Sequence, residues 1–316
     1  MRKRLMSLAK VAISLGLLAW LLSSIGLAAT LDRLKAADPG WLALAVVMFA
    51  LGVALRAYRW QGLLAALGAE VGLGRLCKLY LVGFFFSKLL PGGLGGDVIR
   101  GVEAAQDGAG GTKAAGTVIV DRLAGLLLLF ALSLLALPFS VNLVGIELAL
   151  WLGVIPLAGV VGGWLLFQER WARVAAGFWP RRWRFPWQEK LVGVHQAIVA
   201  CRGRPLGRAL LVSLGVSFSV IGLNYTAALA MGIQVSPGYF FLFVPLISLS
   251  LLVPISWGGL GLREAVTILL FSQAGVEQPQ ALAMSLTVYL VNLLFSLLGG
   301  GVYLWMGLSG LRSGED

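Results

Sequence analysis

Apolar runs separated by short polar or glycine-rich breaks cover this chain from end to end. Six of them, at about 8–27, 41–55, 114–137, 144–167, 209–231 and 281–306, predict membrane-crossing helices. A bilayer core of about 30 Å takes about 20 apolar residues in helical form. The second run gains its length from a last turn carrying Arg56, Tyr58, Arg59 and Trp60. Two other runs are interrupted. Residues 79–90 stop at Pro91-Gly92-Gly93, and residues 239–254 stop before Ser256 and Gly258-Gly259, resuming over 262–274.

Charge orders these segments. Residues 168–208 carry nine basic side chains against Glu169 and Glu189, which places this loop in the cytoplasm, with 187–200 as an interfacial helix. Trp171, Trp179, Trp183 and Trp187 read as its interfacial anchors. The basic Arg2-Lys3-Arg4 start places the N-terminus on the same side and anchors a retained first span. Ala28–Ala29 leaves signal cleavage as the less favoured alternative. Counting crossings inward from both markers puts residues 61–78 and 101–113 on one side. The segment 79–97 then begins and ends on that side, as a re-entrant hairpin of two half-helices. If 239–274 is also such a pair, it opens from the other face. The expected fold is therefore all-α: a single transmembrane domain over 1–316, six full spans, two re-entrant hairpins and an inverted-topology repeat.

The two breaks share a pattern. Gly92-Gly93-Leu94-Gly95 recurs as Gly258-Gly259-Leu260-Gly261. Pro91 and Pro254 precede them, and Gly96-Asp97 with Arg100, and Arg263 with Glu264, follow. Paired broken apolar segments in corresponding halves point to a transporter's binding site. Non-helical backbone at membrane depth is tolerated where it lines a cavity. The half-helix starting after each break offers free N–H groups and a positive dipole end to an anion, and Arg100 and Arg263 would add bidentate contacts to phosphate. Against this stands a packing reading, in which the glycines only bring helices close and each arginine neutralises its neighbouring acid.

Other charges lie in or beside the spans: Arg56, Arg59, Lys88, Asp121 and Arg122. At the bilayer centre such groups cost about 2.5–3.5 kcal/mol each. Asp121 and Arg122 point about 100° apart on a helix, so one faces a cavity and the other a partner such as Arg56 or Arg100, unless both snorkel. Arg56, Arg59 and Trp60 fit an interfacial anchor equally well. Asn224 and Asn292 suggest interhelical hydrogen bonds.

Composition narrows the function classes. Hydrophobic residues make up 59% and charged residues only 12%, which leaves no room for a separate soluble domain. The net charge of +11 sits beside apolar spans, so it marks cytoplasmic loops of a cell-membrane protein and no nucleic-acid partner. Two cysteines and one histidine, His195, support neither a disulfide framework nor a zinc site, and no metal or other cofactor is expected.

Arg56-Ala57-Tyr58-Arg59-Trp60, Gly83-Phe84-Phe85, Leu90-Pro91-Gly92, Gly95-Gly96-Asp97-Val98-Ile99-Arg100 and Asp121-Arg122-Leu123, in this order, resemble the lysylphosphatidylglycerol synthase transmembrane family, also called the flippase-like domain family. Pro254, Gly258-Gly259-Leu260-Gly261 and Arg263-Glu264 resemble its second signature. The resemblance implies lipid translocation between leaflets. Ser87 and Lys88 stand where the family often has Asn, and the soluble aminoacyl-transferase domain of full-length synthases has no counterpart in these residues. The expectation is a transporter of a phospholipid or polyprenyl-phosphate-linked lipid. Its site would comprise Arg56, Arg59, Lys88, Gly92, Gly93, Gly95, Gly96, Asp97, Arg100, Asp121, Arg122, Gly258, Gly259, Gly261, Arg263 and Glu264. The alternatives are a membrane enzyme using Asp97, Asp121 and Glu264 as acid or base, and a subunit docking a lipid-modifying enzyme through 168–208.

Overall fold

The computed structural model describes residues 27–89, 95–136, 157–165, 188–251 and 259–312, with a few single positions outside these runs. Among them there are helices and no strands. Most of the expected spans over 8–27 and 144–167, the loop 169–187 with its four tryptophans, and Pro91, Gly92, Gly93, Pro254 and Gly258 lie outside the described residues.

The helices are α1 (Leu27–Lys35), α2 (Pro39–Ala66), α3 (Leu73–Leu89), α4 (Gly95–Ala104), α5 (Gly111–Ala136), α6 (Gln188–Ala200), α7 (Arg204–Ala230), α8 (Pro237–Ser250), α9 (Leu262–Gln273) and α10 (Gln278–Arg312). A π-helical turn, Ala105–Ala109, joins α4 to α5. Four helices, α2, α5, α7 and α10, are long and apolar enough to cross a membrane. Local chemistry sets their starts. Asp38 caps α2 by accepting from Gly40 N at 2.7 Å and Trp41 N at 3.3 Å, with Pro39 behind it, and proline likewise opens α7 and α8.

The central pair is α2 with α7. Gly222 faces Met48, Gly52 faces Ser219 and Gly215 faces Leu55. Asp38 N donates to Ala230 O at one end, and Arg208 meets Tyr58 towards the other. Residue number rises along one helix as it falls along the other, so the pair is antiparallel along its whole length.

Each broken segment folds back on itself. At the open end of the first, Arg75 of α3 reaches Glu103 of α4 at 3.0 Å and Asp107 at 2.9 Å. At its closed end, a Cβ on Gly96 would lie 2.0 Å from Gly83 O, so only glycine allows this approach. Helix α3 begins six residues before the expected apolar run, because Arg75 and Lys78 reach past it to polar partners and Trp305. In the second segment Phe271 of α9 packs on Phe240 and Phe243 of α8, with ring centroids 5.0 and 5.2 Å away. At 1.5 Å per residue, α4, α8 and α9 span about 15, 21 and 18 Å, short of a bilayer core of about 30 Å.

The hairpins open at opposite ends of α2. Lys113 Nζ donates to Leu67 O and Gln61 Nε2 to Val71 O, which ties the first hairpin's open end to the end of α2. The second follows Ala230, which lies against the start of α2.

The register that lays Gly92-Gly93-Leu94-Gly95 on Gly258-Gly259-Leu260-Gly261 also lays the start of each of α2, α3, α4 and α5 within two residues of the start of α7, α8, α9 and α10. Helix packing follows the same exchange. Helix α3 packs on α10 as α8 packs on α5; α4 packs on α5 as α9 on α10; α2 packs on α5 as α7 on α10.

Helix α6 lies within the stretch 187–200. It packs on α5, where Gly116 leaves room for Ala197, and it buries Ala197 and Ile198 while exposing Leu191 and Val192.

Candidate functional site

Two cavities meet between the hairpins. The larger, 370 Å³, lies among α2, α3, α4, α5 and α7. The smaller, 230 Å³, lies among α2, α7, α8, α9 and α10. Arg56, Val220 and Ser248 line both.

The larger cavity is walled by a charge network. Arg59 donates through Nε to Asp121 Oδ1 at 2.7 Å and through Nη1 to Ser213 Oγ at 2.7 Å. Both side chains of the Arg59–Asp121 pair are nearly inaccessible, at 4% and 3%. Tyr80 hydrogen-bonds the other oxygen of Asp121. Arg100 donates to Asp97 Oδ1 at 2.6 Å, comes within 3.5 Å of Asp121, and lies 4.0 Å from the Tyr80 ring centroid. Asp97 also accepts from Arg122. Three arginines and two aspartates thus close on one another.

This arrangement decides several sequence alternatives. Arg59 is buried, and Trp60, at 0% exposure, donates to Thr117 Oγ1 at 3.1 Å, so neither is an interfacial anchor. Asp121 and Arg122 do not snorkel together: Asp121 turns inward to Arg59 and Tyr80, while Arg122 turns to Asp97. Arg100 pairs with its neighbouring acid as the packing reading expects.

The smaller cavity is different. Arg56 and Arg263 line it, with Asn224, Asn292 and two serines, and among the described residues no carboxylate does. Neither arginine forms an ion pair with a described residue. Arg263 Nη1 is buried without a hydrogen-bond partner among the described residues. Its sequence neighbour Glu264 makes no direct ion pair with it. The Glu264 carboxylate, wholly buried, accepts from Gly261 N at 2.6 Å and lies 3.5 Å from Ser285 Oγ. The asparagines do not bridge helices. Asn224 donates to Val220 O at 2.9 Å and Asn292 to Val288 O at 2.8 Å, each within its own helix. Each amide keeps a second N–H and its carbonyl for the cavity.

At each half-helix start one N–H is already engaged. In α9 the N–H of Gly261 is taken by Glu264, which already places a negative charge there. In α4 the N–H of Gly96 goes to Ser87 Oγ at 3.2 Å. Gly95 and Gly96 are buried in the first hairpin, and Gly259 and Gly261 adopt φ of +82° and +83°, conformations that favour glycine in the turn into α9. Lys88 Nζ lies 4.0 Å from the Tyr289 ring centroid, and Arg263 lies 5.9 Å from the same ring.

Sequence reasoning passed over Tyr80, Thr117, Ser213 and Gly125. The last leaves room for Arg59, whose Nη1 would lie 3.1 Å from a Cβ there. Tyr80, Gly83 and Ser87 recur at three- and four-residue steps on the face of α3 that meets α4 and α5, and that spacing was the available signal.

The profile of the family described as "Lysylphosphatidylglycerol synthase TM region" matches residues 7–300. A UPF0104 membrane protein of Pyrococcus horikoshii is 24% identical, over 96% of this chain and 96% of its own length. Another UPF0104 membrane protein, from Methanothermobacter thermautotrophicus, is 26% identical over 83% of each chain.

Proposed function

The chain belongs to the lysylphosphatidylglycerol synthase transmembrane family, and on that premise we propose that it is a flippase-like transporter of lipids with a phosphate-bearing anionic headgroup. The observation that carries this reading is the smaller cavity, which Arg56 and Arg263 both line with no acid among the described lining residues. Burying a cation without a partner costs several kcal/mol, and an anionic headgroup would supply the missing charge. Two asparagine amides add donors suited to phosphate oxygens.

The surrounding architecture supports transport. Antiparallel α2 and α7, related by an exchange that also maps the other helices, require a two-fold axis perpendicular to them, which in a membrane is an inverted repeat. Hairpins of short helices opening at opposite ends of α2 then read as re-entrant from opposite faces, with their tips and both cavities near mid-bilayer. Such a site can be offered to each leaflet in turn. The basic 168–208 loop and the N-terminus are placed in the cytoplasm on charge. An anionic lipid moving outward gains about 2.3 kcal/mol per charge per 100 mV, so facilitated movement needs no nucleotide.

The acid–base reading is less well supported. Asp97 and Asp121 are each engaged by two arginines and Glu264 by a backbone N–H, so each of these three carboxylates already has partners that hold its charged form.

The test is reconstitution into vesicles with a trace of fluorescent phosphatidylglycerol or a labelled polyprenyl phosphate, read by quenching from outside. Wild-type protein is expected to accelerate leaflet exchange, and Arg263→Gln and Arg56→Gln to slow it with the fold intact. No acceleration for any anionic lipid would end this reading.

A further inference from the structure

A third cavity, of 650 Å³, runs between α4 and α5 and differs in kind from the other two. Val98, Val102, Val118 and Ile119 are among the apolar side chains that line it. Three of them are open to the exterior, with Val98 at 61%, Val102 at 50% and Ile119 at 39% exposure. The groove extends from Gln106, in the π-helical turn, to Asp97, about 14 Å along α4 and that turn at about 1.5 Å per residue. That is close to one leaflet of a hydrocarbon core about 30 Å thick.

The inner end of the groove is polar. Asp97 and Arg122 line it, and the same two residues line the larger charged cavity. They are ion-paired with each other, and their side chains are 24% and 38% exposed. One ion pair therefore separates an apolar surface facing the exterior from a polar interior. Asp97 has Arg100 as a second partner at 2.6 Å, so it keeps a counter-charge when Arg122 swings away. Arg122, so released, is a free guanidinium facing the groove.

We propose that this groove is the seat of the hydrocarbon chain of the transported lipid, and that the Arg122–Asp97 pair is the door through which the headgroup enters the polar cavity. This rests on the transport reading above and goes beyond it by assigning the route. Continuity of the groove with the charged cavity is what selects the transported lipid as occupant over bulk lipid. An amphiphile with its phosphate at Arg122 would lie with its chain along Val98 and Val102, so neither part leaves the medium that suits it. Opening the door exchanges one counter-ion of Arg122, the Asp97 carboxylate, for another, the lipid phosphate. The polar interior need never face hydrocarbon bare.

The test locks the door. A Cβ on Gly101 would lie 4.0 Å from Val118 Cγ2 across α4 and α5, within reach of a disulfide after slight adjustment. Gly101→Cys with Val118→Cys, in a Cys77→Ser background, is oxidised and reconstituted with a trace of fluorescent phosphatidylglycerol. Exchange is expected to fall about tenfold or more and to return on reduction. Full activity in the cross-linked protein would overturn the α4–α5 route while leaving the transport reading standing. Inactive wild-type protein would instead remove the transport reading and this route with it. A second variant, Val102→Trp, fills the groove without touching the charged cavity. It should slow long-chain phosphatidylglycerol more than a short-chain analogue. Equal slowing of both would mean that the groove holds only bulk lipid and would overturn its role as a chain seat.

Discussion

Neutralising two arginines on either side of the shared wall should have opposite effects on stability, and the reason lies in their partners. Arg59 is bound to Asp121 and Ser213, each at 2.7 Å, inside a pair that is almost wholly buried. Arg59→Gln leaves the Asp121 carboxylate short of its nearest counter-charge. Breaking a buried pair from one side costs about 3–5 kcal/mol. Asp121 keeps Tyr80 and has Arg100 at 3.5 Å, so the lower end of that range is expected. Arg263 has no ionic partner among the described residues and carries a buried Nη1 with nothing to donate to. Its contact with Tyr289, at 5.9 Å, is worth about 2 kcal/mol at most. Arg263→Gln removes that contact together with the larger cost of a desolvated charge, several kcal/mol, so stability should rise. Titration of folded protein from mild detergent into a denaturing detergent, followed by tryptophan fluorescence, measures both. Transport in vesicles should rank the variants differently, with Arg263→Gln impaired despite its stability. Equal destabilisation by the two substitutions would show that Arg263 is a structural group, and the unbalanced-cavity argument would fail with it. Adding Asp121→Asn to Arg59→Gln should recover much of the lost stability.

Other outcomes follow from single contacts. Gly96→Ala would place a methyl 2.0 Å from Gly83 O, and the overpacking should cost about 1–3 kcal/mol in the same titration. Gln106→Cys and Gln273→Cys, at the open ends of the two hairpins, should label with an impermeant maleimide from opposite faces of oriented vesicles; labelling from one face would refute the inverted repeat. Cys201, in the turn before α7, is buried, and burial pushes its thiol up to about 11. At pH 8 it is therefore protonated as well as covered, and it should alkylate only when the protein unfolds, with a native rate that rises as pH approaches 11. Rapid labelling of native protein at pH 8 would contradict that burial.

The breaks were legible in the sequence because glycine, proline and charge interrupt long apolar runs, and such interruptions are local. Which charge meets which was not legible. Arg56 and Arg59 are one helical turn apart and equivalent as sequence, yet only Arg59 reaches Asp121. The choice depends on how α2 is rotated against α5 and α7, and on Gly125 clearing space for the guanidinium. The same holds for the second half. Asp97 pairs across α4 with Arg100, three residues on, whereas Glu264 sits directly beside Arg263 and turns back to cap its own helix. Adjacent residues on a helix diverge, so nearness in sequence was misleading there. The asparagines were identifiable as buried polar groups, but a backbone carbonyl four residues earlier was always within their reach and won over any partner on another helix.

The exchange that lays α3 on α10 and α8 on α5 has a mechanical consequence. At the first contact a Cβ on Gly299 would lie 1.9 Å from Leu81 O, which leaves two backbones touching with nothing compressible between them. Each half of the chain thus has one arm gripped by the last helix of the other, as in clasped hands. The halves cannot pivot as two blocks divided where the sequence divides, because either arm would be torn from the helix that holds it. Leverage must act across the clasp, so the moving bodies are mosaics of both halves. A chain cut between α5 and α6 should accordingly regain its fold only when its two fragments are made together.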